Sequence, residues 1–171
     1  MKVSFISQEK YAADMLKKFR MENCKSAATT MALNERLMFD DGAEKFDPSI
    51  YRSFVGSFIY LTHERPDISH VVSLISRFMS NPSKSHFAAA KRIIRYIQGT
   101  KHLGIKYSRE ENNELLGFRD SDWAESQDDR KRTSGFIFCF GSKSILWSSK
   151  KQISVAMSSV EADYIAVNEE V

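Results

Sequence analysis

The 171-residue chain is 42% hydrophobic, 12% aromatic and 27% charged, with 7 glycines and 3 prolines, a composition that excludes the disordered, collagen-like and linker classes. No stretch approaches the roughly 18 uncharged apolar residues of a membrane span. The first ten residues also lack a basic segment followed by an apolar one, so an intracellular protein without membrane partners is expected. Cys24 and Cys139 lie far apart, with no CxxC and no paired histidines, which excludes a locally built disulfide framework or zinc site and leaves both expected as buried small hydrophobes. The net charge of +3 hides an asymmetry: residues 1–103 hold 16 basic against 10 acidic residues, and 104–171 hold 9 against 12. The bias is sharpest from Arg65 to Lys106, where eight basic residues face the single acid Asp67, a stretch that would attract a polyanion.

The first hundred residues carry helical periodicity. Ser7 can cap a helix with Tyr11, Met15, Leu16 and Phe19 on one face. Glu22 to Lys45 is polar and aperiodic and predicts a long connection. Asp47 followed by Pro48 signals a helix start, with Tyr51, Phe54, Val55, Phe58 and Leu61 as its apolar stripe. Gly56 costs that helix about 1 kcal/mol against alanine, which suggests close packing at this point. Pro66 and Asp67 open a third helix with Ile68, Val71, Val72, Ile75, Phe78 and Met79 inward, stopped by Asn81-Pro82. A fourth helix, about 83–98, places Phe87, Ala90, Ile93, Ile94 and Ile97 on one side and Lys84, Lys91, Arg92 and Arg95 on the other. Gly99 is expected as its C-cap. The four histidines, His63, His70, His86 and His102, show no ligand pairing.

From Leu103 the period shifts towards two and β-formers dominate. Leu103 to Tyr107 and Leu115 to Phe118 predict two strands around a polar turn at 108–114. Thr133 to Phe140 predicts a buried strand, Gly141-Ser142 a two-residue hairpin turn, and Lys143 to Trp147 with Ile153 to Met157 the return. Ser158 begins a last helix.

The acids of this second half bear on chemistry. Asp120 and Asp122 end a strand, and Glu161 and Asp163 fall in the first turns of the last helix. Carboxylate oxygens so placed are the ligand type that holds Mg²⁺, and two such ions about 3.5–4 Å apart can clamp the attacking and leaving oxygens of a phosphodiester hydrolysis. Spacing alone leaves a second reading open, because solvated acids are common at strand ends and Ser158-x-x-Glu161 is a good capping box.

Motifs along nearly the whole chain settle on one resemblance. Ile6-Ser7-Gln8-x-Lys10-Tyr11, Tyr51-Arg52-Ser53-x-Val55-Gly56-Ser57, Arg65-Pro66-Asp67-Ile68, Ser76-Arg77-Phe78-Met79 and Ala89-Ala90-Lys91-Arg92 resemble the thumb and connection part of the reverse transcriptase in the pol polyprotein of copia-type (Ty1/copia) LTR retrotransposons. Asp120-Ser121-Asp122-Trp123-Ala124, Asp128-Asp129-Arg130-x-x-Thr133-Ser134-Gly135, Trp147-Ser148-Ser149-Lys150-Lys151-Gln152 and Ser158-Ser159-x-Glu161-Ala162-x-Tyr164 resemble the opening half of its RNase H domain.

The resemblance implies an α+β chain: a helical thumb and connection region over 1–102, then an incomplete RNase H-like mixed sheet with its first helix over 103–171. It implies cleavage of the RNA strand of an RNA–DNA hybrid with Mg²⁺. Asp120 matches the first catalytic and metal-binding carboxylate, and Asp122, in the same motif, is structural. The catalytic helix acid falls on Asp163, one methylene shorter than the usual Glu, leaving Glu161 to the capping box; either can be the ligand. The family's third and fourth carboxylates would follow Val171 and the polymerase Tyr-x-Asp-Asp turn would precede Met1. The nuclease activity is therefore expected to be lost and no DNA synthesis is expected. Thr30 and Arg119 depart from the family's usual Pro and small residue. In a thumb-like segment, Lys84, Lys91, Arg92 and Arg95 become candidate contacts to the phosphates of an RNA–DNA hybrid or duplex. The remainder of the pol polyprotein is the other expected partner. The rival expectations are a residual nucleic-acid-binding module and a co-opted interaction or effector protein derived from the same element.

Overall fold

The computed structural model describes residues 3–33, 35–108, 114–121 and 133–152. The chain divides into two units, Met1–Arg109 and Glu110–Val171. The architecture is α+β, with four helices and two small antiparallel sheets among the described residues.

In the first unit, β1 (Val3–Ile6) leads into α1 (Glu9–Lys18), α2 (Pro48–Leu61), α3 (Pro66–Ser76) and α4 (Lys84–Thr100), and β2 (Ile105–Ser108) returns to pair antiparallel with β1. This pairing corrects the expected hairpin of 103–107 with 115–118. Strand β2 finds its partner at the start of the chain, and Gly104 makes this possible, because a Cβ there would lie 2.2 Å from the carbonyl oxygen of Ile6.

The predicted stripes form one core. Met15 and Leu16 of α1, Tyr51, Phe54, Val55, Phe58 and Leu61 of α2, Ile68, Val71, Val72 and Ile75 of α3, and Ala90, Ile93, Ile94 and Ile97 of α4 are buried together. Each large aliphatic or aromatic side chain removed from water contributes roughly 1.5–3 kcal/mol. The Tyr51 hydroxyl donates to the carbonyl of Ile75 at 2.8 Å, which satisfies the one polar atom of that ring inside the core. Burial pushes its phenol pKa up.

The helix ends follow the sequence in part. The Asp47 carboxylate accepts from the backbone N–H groups of Ser49 and Ile50 with Pro48 in the first turn, as the cap signal requires. Ser7 does not cap α1; Gln8 holds that position without a side-chain bond. Helix α3 ends at Ser76, before Asn81-Pro82, and short turns cover 77–80. Gly99 is not a C-cap either. It lies inside α4, which runs to Thr100 with Lys101 following in right-handed geometry, and a Cβ on it would meet the Ser26 Cβ at 3.0 Å. Its missing side chain lets the connection cross α4 closely. Helix α1 closes with Arg20 at φ 56°: the Arg20 N–H bonds the Lys17 carbonyl and the Met21 N–H bonds the Leu16 carbonyl at 2.8 Å. This is a Schellman turn with arginine where glycine is usual, and the left-handed backbone costs an L-residue roughly 1–2 kcal/mol.

In the second unit, β3 (Leu115–Ser121), β4 (Thr133–Phe140) and β5 (Lys143–Lys151) form an antiparallel meander in the order β3-β4-β5. Phe140 pairs with Lys143 across Gly141-Ser142, and Gly141 takes φ 62°, the turn the sequence predicts. A register shift at Phe138/Cys139 places a bulge near the hairpin end. The Phe138 ring covers Gly117, where a Cβ would come within 2.8 Å of Cε1. Of the strand predicted over 133–140, only Thr133 is fully buried and the rest is half-buried or exposed. Cys24 and Cys139 are half-buried rather than buried. The predicted segments at 153–157 and from Ser158 lie outside the described residues.

Candidate nucleic-acid interface and strand-end carboxylate

The cations predicted on α4 share one helix, and the structure shows what each touches. Lys84 Nζ pairs with the Glu44 carboxylate at 2.5 Å, both side chains exposed. Lys91 Nζ stands 4.7 Å from the centre of the Phe87 ring. Arg92 donates from Nη2 to the Thr29 hydroxyl at 2.9 Å, and Arg95 donates from Nε to the carbonyl of Lys25 at 2.8 Å. Gln98 joins them, donating to the carbonyl of Glu22 at 2.6 Å. Three of the four cations thus clamp the connection of residues 22–45 onto α4. Arg92 and Arg95, both half-buried, bond only neutral acceptors in these contacts, which leaves their charges uncompensated there. Lys84 is neutralised by a pair that, exposed as it is, contributes at most about 1 kcal/mol.

The far end of the connection is pinned by a buried cluster that sequence reasoning missed. Ser83 caps α4, and His86 completes the capping box, its Nδ1 accepting the Ser83 N–H at 2.9 Å. His86 Nε2 lies 2.9 Å from the Met38 carbonyl, so the ring is neutral with its proton on Nε2. The ring stacks on Phe78 with centroids 3.8 Å apart. Ser83 Oγ donates to Asp41 Oδ2 at 2.5 Å. That bond holds the Asp41 carboxyl below its usual range, against its partial burial. Serine, histidine and aspartate meet here, but not as a nucleophile site. The serine proton goes to the aspartate, His86 Nε2 bonds the Met38 carbonyl and stays 4.0 Å from Asp41 Oδ2, and Ser83 and His86 are fully buried. The Ser-x-x-His spacing before an apolar run was the available signal, a capping box with histidine in place of glutamate.

A second network involves the acid of the basic stretch. Arg65 is buried, donates from Nε and Nη2 to both oxygens of Asp67 at 2.8 and 2.7 Å, and reaches the Thr100 carbonyl at 3.0 Å. Tyr96 donates to the same carboxylate at 2.9 Å. Burial pushes the Asp67 pKa up, but the Arg65 fork outweighs it and the net shift is downward. Burial, followed by the neighbouring Asp67, raises the Tyr96 phenol. Arg65 therefore belongs to the scaffold, its charge paired inside it.

Gly56 overturns its expected role. Apart from its own stretch of the helix, nothing lies within 4 Å of the position its Cβ would take, and it is exposed in the middle of α2. Arg52, Gly56 and Tyr60 follow one another at four-residue spacing on this outer face, all three exposed. Ile59 flanks them at 41% exposure. Arg52 is fixed by a 3.2 Å bond to the Met79 carbonyl, and the Tyr60 ring leans on Tyr11 with centroids 4.7 Å apart. The result is an open strip along α2 bounded by a cation and an aromatic ring. A helix-interior glycine without an inward packing partner was the signal, legible only once its surroundings were known.

In the second unit, Asp120 lies one residue before the end of β3 and pairs in register with Gly135 of β4. Asp122, Glu161 and Asp163 lie outside the described residues. Among the described residues no three His, Cys, Asp or Glu side chains stand close enough to hold a metal ion.

Comparison with known proteins supplies the context. Over 162 residues the chain is 41% identical to the retrovirus-related Pol polyprotein from transposon RE1 of Arabidopsis thaliana, a match covering 95% of this chain and 11% of that protein. It is 38% identical over 164 residues to an uncharacterized mitochondrial protein of the same plant, covering 95% of this chain and 68% of that protein. It is 40% identical over 120 residues to a secreted RxLR effector protein of Plasmopara viticola, covering 70% and 84% respectively. No family profile and no solved structure matches. The order of motifs, the α+β architecture and these similarities agree: the chain belongs to the Pol polyproteins of copia-type retrotransposons.

Proposed function

We propose that this chain is the part of Pol that joins the thumb and connection of the reverse transcriptase to the opening of RNase H, and that it holds an RNA–DNA hybrid. One observation carries the reading: the outer face of α2, where Arg52, an open Gly56 and Tyr60 line up on the surface. A glycine in mid-helix sacrifices about 1 kcal/mol of stability, and with nothing packed on it the benefit lies with a partner that comes close to the backbone. Nucleic acid suits such a strip: a sugar–phosphate edge is flat, an aromatic ring packs on sugars or bases, and Arg52 answers phosphate charge. Lys91, Arg92 and Arg95 add positive potential from α4.

For the second unit the same reading makes Asp120 the first metal-binding carboxylate of RNase H, with Glu161 or Asp163 as the helix ligand. Carboxylate oxygen is the donor Mg²⁺ requires. When bound, the ion would polarise the scissile phosphate and activate water. Asp120 sits where a β-ladder fixes its backbone, paired with Gly135. This reading assigns the metal to Asp120 and one of Glu161 or Asp163.

The test is fluorescence anisotropy of the 171-residue chain with a labelled RNA–DNA hybrid over a salt series, alongside a cleavage assay in Mg²⁺. Binding that weakens steeply with salt and falls in Tyr60→Ala supports the reading. Absent or salt-indifferent binding overturns it. The similarity to the Plasmopara viticola effector favours a second reading, an interaction protein derived from the same element, and failure of hybrid binding would shift weight to it.

A further inference from the structure

A group of cations that the sequence reading did not single out collects where α1 ends. A cleft of about 380 Å³ is lined there by Lys17, Arg20, Glu22, Asn23 and Cys24. Its far wall is connection residues, fixed where Gln98 holds the Glu22 carbonyl and Arg95 holds that of Lys25. Lys17, Arg20 and Lys25 are exposed, and among the described residues none of their side chains has a hydrogen-bond or ion-pair partner. Arg20 projects from the left-handed position of the Schellman turn, φ 56°, where glycine would fit without steric cost. A long cationic side chain at such a position is an outlier of the kind that marks function.

We propose that this cleft seats one backbone phosphate of the nucleic acid, with Arg20 as the principal donor and Lys17 and Asn23 as its neighbours. The inference rests on the hybrid-holding reading above and adds a contact that neither the α2 strip nor α4 contains. The charge balance fits the ligand: Glu22 offsets one of the two lining cations, leaving about one net positive charge for the single charge of a phosphodiester. The arginine fork matches two phosphate oxygens at once. Lys25 and Arg95 continue the positive surface along the connection, as a polyanion crossing several positions requires, whereas a small free anion would need only the cleft.

The experiment compares the 171-residue chain with Arg20→Gly, Arg20→Lys and Lys17→Ala by thermal unfolding and by anisotropy with an RNA–DNA hybrid, with inorganic phosphate as a competitor. Arg20→Gly is expected to melt a few degrees higher, because glycine relieves the backbone, yet to bind hybrid about 5–10-fold more weakly at low salt. Its salt slope should fall by about 0.9, the loss of one phosphate contact. Arg20→Lys should keep part of the affinity, and Lys17→Ala should lose less than Arg20→Gly. If the parent chain binds hybrid and Arg20→Gly binds it equally well, the phosphate seat is wrong and the hybrid-holding reading stands. If the parent chain does not bind hybrid, both fall. Arg20-dependent binding of inorganic phosphate with unchanged hybrid affinity would also overturn the proposal, making the cleft a free-anion site.

Discussion

Replacing Gly56 separates stability from binding on the α2 strip. Alanine at this position meets nothing within 4 Å, so the substitution adds helix propensity without a packing penalty and should stabilise the helical unit by about 1 kcal/mol. For a unit of this size the thermal midpoint should rise by roughly 4 °C. The same methyl group stands in the path of any chain lying against the α2 backbone, and one clashing contact in a close interface costs about 1.4 kcal/mol, a tenfold loss of affinity. Gly56→Leu should extend the loss while keeping the stability gain. Tyr60, at 54% exposure, presents roughly 100 Å² of ring, so a partner that covers it fully would lose up to about 2.5 kcal/mol in Tyr60→Ala. Circular dichroism melting reads the first effect and anisotropy with an RNA–DNA hybrid at fixed salt reads the second. A lower midpoint for Gly56→Ala would restore close packing as the reason for the glycine. A higher midpoint with unchanged affinity in both Gly56 variants would show that nothing approaches the strip.

Other substitutions test the scaffold. Asp67→Asn leaves the buried Arg65 guanidinium without its countercharge and should cost about 3–5 kcal/mol, read by urea unfolding. Asp67 and Asp41 both titrate below the ordinary carboxylate value of 3.8, so the stability they add is complete above that pH and disappears as pH falls through their lowered folded values. Acid unfolding followed by fluorescence should begin below about pH 4 and be less steep in Asp41→Asn. His86→Ala removes the ring stacked on Phe78 and its hydrogen bonds to the Ser83 N–H and the Met38 carbonyl. It should destabilise by about 3–5 kcal/mol and make residues 38–45 the first site of limited proteolysis. Gly117→Ala forces its methyl group into the Phe138 ring and should cost about 1–3 kcal/mol, with partial rescue by Phe138→Leu; thermal unfolding of the pair decides it.

The helices of the first unit were legible because each carries an apolar stripe of period 3.6, to which α2, α3 and α4 add a local start signal. Asp47-Pro48 and the Ile93, Ile94, Ile97 stripe fell where the residues themselves required. What the sequence hid was long-range. Strand β1 offers four exposed residues with no alternation against a core, and its reason to be a strand is a partner near the other end of the unit. Gly56 and Gly99 were misread for a related cause: a glycine reports that space matters, but only the neighbours say whether the space is filled. Lys84, Arg92 and Arg95 were correctly placed on one face of α4, yet periodicity could not show that the aperiodic residues 22–45 return to lie across them. Asp120 was legible at the end of its strand, while its companions Glu161 and Asp163 fall beyond the described residues.

The ladder between β1 and β2 has a consequence for the order of folding. It joins Val3 to Ser108 and Ile6 to Ile105, closing a loop of roughly a hundred residues at an entropic cost of about 4 kcal/mol if made first. With β1 exposed throughout, the ladder gains little apolar burial to offset that cost, so it closes only after the helices have drawn the two ends together. It is also the first part to reopen. The amide of Phe5 should exchange with solvent long before that of Ile93, through an opening that leaves the helices intact. Tension applied at the two ends of the unit would accordingly act first on the adjacent Val3 and Ser108 and unzip the ladder one pair at a time before it reached the helices.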